Sequence, residues 1–223
     1  MTNCVLVVAA HTDDEALGCA GTIARHVAEG DSVYAVFMAD GVTSRTESSQ
    51  ADYARRMQAA ENARVILGIK EYYYLNLPDN RMDSIPLIDV IQKLELITDK
   101  VKPNIIYTHH HGDLNVDHRI THQAVMTACR PLPESCVRAI YAFEVMSSTE
   151  WATPTQEPFL PNYFVDISKY LNIKRDALNA YHVEMRNVPH SRSFEHLSSL
   201  AIHRGNSVGV FAAEAFMSKM ILV

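Results

Sequence analysis

The sequence has few cysteines, four in 223 residues, and no two of them form a C-x-x-C pair. A chain of this length can bury a core without covalent staples. Cys4, Cys19, Cys129 and Cys136 therefore predict free, buried thiols in a reducing compartment such as the cytoplasm, not a disulfide framework. No apolar run approaches the roughly 18 residues that a membrane-spanning helix needs. The apolar stretch from Cys4 to Ala10 has no basic segment before it and acids directly after it, so it reads as a strand and not as a signal peptide. Positive charge is scarce: 20 Lys and Arg stand against 26 Asp and Glu, for a net charge of −6. With no dense basic patch, a nucleic-acid partner is not expected. Internal repeats and low-complexity tracts are absent. Gly18-Cys19-Ala20-Gly21 falls short of G-x-G-x-x-G, so a dinucleotide site is not expected either.

The chain is 48% hydrophobic and 21% charged, an ordinary globular balance, and its length suits a single domain over residues 1–223. Strand and helix patterns alternate. Strands are expected at about 4–10, 32–39, 71–75, 104–108 and 138–144. Helices are expected at about 15–29, 54–67, 90–101 and 117–129, with Gly30, Gly68 and Pro103 as stops. This alternation predicts an α/β, three-layer, Rossmann-like fold: a mostly parallel sheet with helices on both faces. Ser147 to Pro161, with Pro154, Pro158 and Pro161, reads as a long surface loop. Two more amphipathic helices follow, at about 167–185 and 193–204, the second stopped by Gly205.

Eleven histidines are present, and several cluster. Val5 to Val8 runs into Ala9-Ala10-His11-Thr12-Asp13-Asp14-Glu15, which crowds a histidine and three acids into the turn before the first helix. Such charges repel unless a cation sits among them, and a divalent metal is the simplest one. The second constellation, His109-His110-His111 with Asp113, Asp117, His118 and His122, also follows a strand. In an open α/β sheet the carboxyl ends of the strands share one rim, so the two groups can meet there. Zinc accepts imidazole and carboxylate ligands, three from the protein in a catalytic site. Glu15 has a simpler reading as an acid at a helix N-terminus. The 109–111 run alternates faces, so at most two of its members can serve one site. His26, His182, His196 and His203 lie in helical patterns and are assigned no direct role.

Ala10 to Glu15 closely resembles the A-H-P-D-D-E signature of the LmbE-like, or PIG-L, de-N-acetylases. Arg56 and Glu61 in the helix ending at Gly68, the pair Asp117-His118, Pro189-His190-Ser191-Arg192-Ser193 and Ala213-Glu214-Ala215-Phe216 are similar to further family stretches. The resemblance implies zinc held by His11, Asp14 and His118, with Asp13 as general base. Thr12 replaces the signature proline, and a looser turn with the same ligands is expected. Asn115 replaces a histidine of the H-P-D-H motif found in many members. A neutral amide can stabilise an oxyanion but cannot donate a proton as imidazole does. The general acid is left open between Asp13 returning its proton, His110, Asp113 and His190.

The expected function is zinc-dependent removal of an acetyl group from an N-acetylated amino sugar or sugar conjugate. Arg56, Asp40, His190 and Arg192 are candidate substrate contacts, and Asp13, Asn115 and His110 the catalytic candidates. No nucleic acid or membrane span is expected, and the resemblance leaves room for a homo-oligomer. The alternatives are a metallophosphoesterase, which wants two metals and more carboxylates, and a non-catalytic zinc- or sugar-binding module.

Overall fold

The computed structural model describes residues 2–47, 49–153 and 157–223. Seven strands form one sheet: β1 (Cys4–Ala9), β2 (Ser32–Phe37), β3 (Glu71–Tyr74), β4 (Ile105–His109), β5 (Ala139–Phe143), β6 (Tyr163–Asp166) and β7 (Ala213–Ile221). Their order is β3-β2-β1-β4-β5-β7-β6. The first five run parallel, whereas β7 is antiparallel to both β5 and β6. Among the described residues six α-helices accompany them: α1 (Asp14–Ala28), α2 (Gln50–Leu67), α3 (Leu87–Val101), α4 (Val116–Ala128), α5 (Leu171–Ala180) and α6 (Phe194–Asn206).

The two-residue period of β1 divides the core. Val5 and Val7 pack with α1, α2, α5 and α6, while Leu6 and Val8 pack with α3 and α4 on the other face. Both faces of the sheet are therefore covered, as the run of apolar residues in β1 requires. The chain leaves β1 towards β2 and β3, then crosses back to place β4 on the other side of β1. This makes the gap between the ends of β1 and β4 the topological switch point, the place where open α/β sheets bind ligands.

The first five strands and first four helices fall where the sequence pattern puts them, within a residue or two except at the starts of α2 and α3. The C-terminal third differs. No strand was expected at β6 or β7, yet β7 is the longest strand of the sheet. The helix expected at 167–185 is shorter, and Gly205 lies inside α6 instead of stopping it. A Cβ at Gly205 would sit 2.6–2.8 Å from the backbone of Ala212, so the glycine permits close packing of α6. The stretch 147–161 is more than a surface loop. Thr149–Trp151 forms a one-turn helix, and Ser148 and Thr149 are buried; Pro154 lies outside the described residues. The four cysteines are unpaired, but Cys4 is half-buried and Cys136 exposed, so the expectation of burial fails for these two.

Candidate metal centre and active site

β1 and α1 meet in a turn whose fourth residue, Asp13, has φ +113°. Few non-glycine residues adopt this left-handed backbone, and aspartate is among the better suited. The Glu15 carboxylate accepts the Asp13 N–H at 3.0 Å and the hydroxyls of Tyr72 and Tyr181 at 3.1 and 2.7 Å. Glu15 thus lies in the first turn of α1, where the sequence reading puts an acid, and is also a buried brace for the turn. Burial pushes its carboxyl up to about 7, against the opposing hydrogen bond from Tyr181.

The turn sends its successive side chains to different places. Asp14 faces His11 and His118: its Oδ2 lies 3.4 Å from His11 Nδ1 and 3.4 Å from His118 Nε2. All three residues are buried, and their ligand atoms lie within 4.8 Å of one another. A tetrahedral zinc site with bonds near 2.0–2.1 Å has ligand-to-ligand edges of about 3.4 Å. The outer ring nitrogens are also occupied. His11 Nε2 faces Asp117 at 3.1 Å and Asp79 at 3.3 Å, and His118 Nδ1 faces Asp113 at 3.1 Å. Metal-ligating histidines characteristically donate their other N–H to such groups, which fixes tautomer and orientation. The donor set and its surroundings therefore fit a divalent metal.

The supporting carboxylates are themselves held. Asp117 accepts the backbone amides of Asn80 and Met82, and Asp79 that of Ser44. Asp113 accepts hydroxyl bonds from Ser148 and Thr149. Asp79, Asp117 and His11 form a second group of suitable spacing. It shares His11 with the first, and its carboxylates are committed to the ring and to backbone amides. Burial disfavours a charged His11 or His118, but their neighbouring carboxylates outweigh it. The bonds to Asp117, Asp14 and Asp79 raise His11 well above the ordinary histidine value, and Asp14 and Asp113 bring His118 to about 9. Asp14 is burdened by burial, yet the charges of His118 and His109 and the bond to His11 hold it well below the usual carboxylate range.

Asp13 faces a cavity of about 240 Å³ that opens over His11 and His118. Its Oδ1 lies 3.0 Å from Arg56 and its Oδ2 3.1 Å from Arg192. Arg56 is buried, lies 3.0 Å from Glu184, and binds the hydroxyl and carbonyl of Thr12. Glu184 also receives Arg45 at 2.9 Å. Thr12, where a looser turn was expected from the missing proline, ties the turn to its surroundings: its hydroxyl also donates to the Asp40 carbonyl at 3.1 Å. A proline has no hydroxyl for either bond. Burial raises the Asp13 carboxyl, and the two guanidinium groups oppose that rise.

The other sequence candidates divide. Asn115 lines the cavity and caps α4, its Oδ1 accepting Asp117 N at 2.8 Å and its Nδ2 donating to Asn80 at 2.9 Å. His110 stands apart, its Nε2 bound to the Glu157 carbonyl at 2.9 Å. Of the 109–111 run it is His109 that reaches the cluster, since neighbours on extended chain face opposite ways. His109 Nε2 accepts Ala10 N–H at 2.8 Å, which removes its lone pair from ligation. Asp40 closes its own loop, accepting the amides of Val42 and Thr43. His190 accepts Arg192 N–H at 3.0 Å and packs on Trp151, outside the cavity lining. Sequence reasoning missed Asp79, Arg45 and Glu184. Each is a single charge in an irregular segment, with no local pattern to mark it.

A buried group of two histidines and one aspartate beside an arginine-held aspartate, at the switch point of an α/β sheet, is a candidate divalent-metal site with an acid–base group next to it. The PIG-L, GlcNAc-PI de-N-acetylase, family model matches residues 6–129. The chain belongs to this family. It is 31% identical over 183 residues to the uncharacterized deacetylase YaiS of Escherichia coli K12, covering 79% of this chain and 89% of YaiS. Among solved structures it resembles N,N'-diacetylchitobiose deacetylase from Pyrococcus horikoshii, with a TM-score of 0.75, 23% identity and coverage of 97% and 83% of the two chains. It also resembles GalB, the 4-carboxy-2-hydroxymuconate hydratase of Pseudomonas putida KT2440, with a TM-score of 0.78, 22% identity and coverage of 100% and 98%. These two likenesses concern the fold.

Proposed function

We propose that the chain is a zinc-dependent hydrolase that removes the acetyl group from an N-acetylated amino sugar or sugar conjugate. One observation carries this reading: His11 and His118, each 3.4 Å from Asp14, border the same cavity as the arginine-held Asp13. Family membership supports the deacetylase chemistry, and the His₂Asp donor set suits zinc. Zinc held by His11, Asp14 and His118 supplies Lewis-acid polarisation of the amide carbonyl and a water acidic enough to lose its proton near neutral pH.

The protein's own groups do the rest. Asp13 takes the proton of the attacking water at one carboxylate oxygen and returns it to the leaving amine. Asp13 lines the cavity, whereas the rival acids His110 and His190 are bonded elsewhere and Asp113 is saturated by His118, Ser148 and Thr149. Arg56 and Arg192 each hold one oxygen of Asp13, which restrains the carboxylate for this shuttle. Asn115 has one amide hydrogen on Asn80, which leaves its second for an oxyanion. The test is acetate release across a panel of N-acetyl sugars, with bound metal counted on the same protein. One zinc per chain and acetate from at least one sugar are expected. Two tightly bound metals with phosphoester cleavage would sink the reading.

A further inference from the structure

A second cavity, of about 200 Å³, lies beside the C-terminal half of α1, at the other end of that helix from Asp14. Thr22, Arg25, His26 and Glu29 line it from α1. They stand at i, i+3, i+4 and i+7, so one stripe of the helix supplies all four. Tyr107 of β4 and Tyr163 of β6 line it from the sheet. Tyr141 of β5 joins these two rings into a floor, with centroids 5.4 Å from Tyr107 and 4.2 Å from Tyr163, stacked on both. A cavity of roughly 150 Å³ accepts benzene, so this one suits a single substituted ring.

The polar groups of the lining set what that ring must carry. Asp31 accepts the backbone and side-chain N–H of Asn3 at 2.6 and 3.0 Å and lies 2.7 Å from His26 Nδ1. Burial works against its charge, but the Asn3 and His26 bonds hold its carboxyl below the usual range. A charged Asp31 takes the His26 Nδ1–H, which leaves His26 Nε2 to accept the Tyr107 hydroxyl at 2.9 Å. The Tyr107 O–H is thereby committed, and its oxygen can only accept from a further group. Thr22 is wholly buried, and its hydroxyl has no hydrogen-bond partner among the described residues. A ligand hydroxyl can donate to Tyr107 and accept from Thr22. Arg25 follows one turn along the stripe. Its Nε lies 2.8 Å from Glu29 and its Nη1 3.3 Å from the Asp166 carbonyl, both at the exposed surface. Such an exposed pair is weak, so a carboxylate can share the guanidinium.

We propose that this cavity binds a small aromatic acid, one ring with a carboxylate at one end and a hydroxyl at the other. The hydroxyl sits between Thr22 and Tyr107, the ring lies on the tyrosine floor, and the carboxylate meets Arg25. The site is separate from the candidate metal centre and independent of the reaction proposed there. The probes are 4-hydroxybenzoate and benzoate, titrated by calorimetry into the full chain. Saturable one-to-one binding of 4-hydroxybenzoate is expected, about tenfold tighter than that of benzoate. Thr22→Val keeps the side chain's shape and removes only an unpartnered hydroxyl, so the variant should fold as the parent does. It should weaken 4-hydroxybenzoate about tenfold and leave benzoate unchanged, whereas Arg25→Gln should weaken both acids by a similar factor. Chelation of any bound metal should leave both affinities as they were, which keeps a carboxylate on the metal centre apart from one in this cavity. The proposal is overturned by any of four results. These are no saturable binding at millimolar concentration, binding lost on chelation, the same effect of Thr22→Val on both acids, or indifference to Arg25→Gln.

Discussion

At the scale of single residues, two adjacent aspartates face different partners. Asp14 touches both candidate ligand histidines, while Asp13 touches two arginines and the cavity. Asp14→Ala should abolish tight zinc binding, since one of three protein ligands is gone. Asp13→Asn should keep zinc and lose roughly 10²–10⁴ in rate, the usual cost of a missing general base. Zinc content and acetate release on both purified variants decide the matter. The assignment is reversed if the Asn variant sheds the metal while the Ala variant keeps metal and activity.

Arg56 is the second residue on which the site turns. It is buried between Asp13 and Glu184 and holds Thr12 as well. Removing one partner of a buried ionic group costs about 3–5 kcal/mol, because the remaining charges lose their compensation. Arg56→Met should therefore lower unfolding free energy by an amount of that order, and urea denaturation measures it. A loss below about 0.5 kcal/mol, the range of ordinary surface substitutions, would mean that Arg56 holds nothing. The candidate ligands and the proposed base were legible because a six-residue motif and one Asp-His pair contain them all. Glu184, Arg45 and Asp79 were not, since only the fold brings them within reach.

At the scale of elements, α1 shows how the sheet edge shapes the site. The helix kinks at Cys19, where φ is −148°. The kink breaks the bond expected between Gly21 N and Leu17 O, and a buried ion pair takes both halves. Lys174 donates to Leu17 O at 2.8 Å, and Glu214 accepts Gly21 N at 3.0 Å and Thr22 N at 2.7 Å; the pair itself is 2.6 Å apart. Gly18 adds to this: a Cβ there would lie 2.4 Å from the Phe143 ring, so α1 meets β5 more closely than alanine allows. The Gly18–Gly21 stretch is thus a packing device and not a phosphate loop. Glu214→Ala strands a buried ammonium and two helix amides, and about 3–5 kcal/mol of stability should go with it. Lys174→Met combined with Glu214→Gln should cost less than Glu214→Ala alone. The reverse order in urea titrations would show that the pair does not compensate itself. The parallel half was readable from apolar runs and helix stops. β6 and β7 were not, because mixed strands such as Ala213–Ile221, with Glu214 and Lys219 among apolar residues, show no run that separates strand from coil.

At the scale of the whole molecule, family and fold do not by themselves settle the reaction, since one solved neighbour of this fold is described as a hydratase. Acetate release therefore carries more weight than likeness. The histidine-rich rim also gives the molecule a pH response that is separable from metal binding. His122 donates Nδ1–H to the His109 carbonyl at 2.8 Å. Burial depresses it to about 4, despite the bond to His109, and Lys219 from β7 with His111 and His110 from the loop after β4 push it the same way. Its unfolded value is near 6.5, so between about 6.5 and 4 the unfolded chain binds the extra proton. The contribution of His122 to stability is thus complete above pH 6.5 and is lost as the pH falls towards 4. Its size is roughly 3 kcal/mol. His122→Asn retains a donor for the His109 carbonyl but cannot titrate. Loss of any bound metal in acid would affect both proteins alike, so the difference between them isolates the imidazole. Urea unfolding at pH 7, 6 and 5 should show the wild-type chain losing stability faster than the variant. Parallel slopes for the two would place the acid sensitivity of the fold elsewhere.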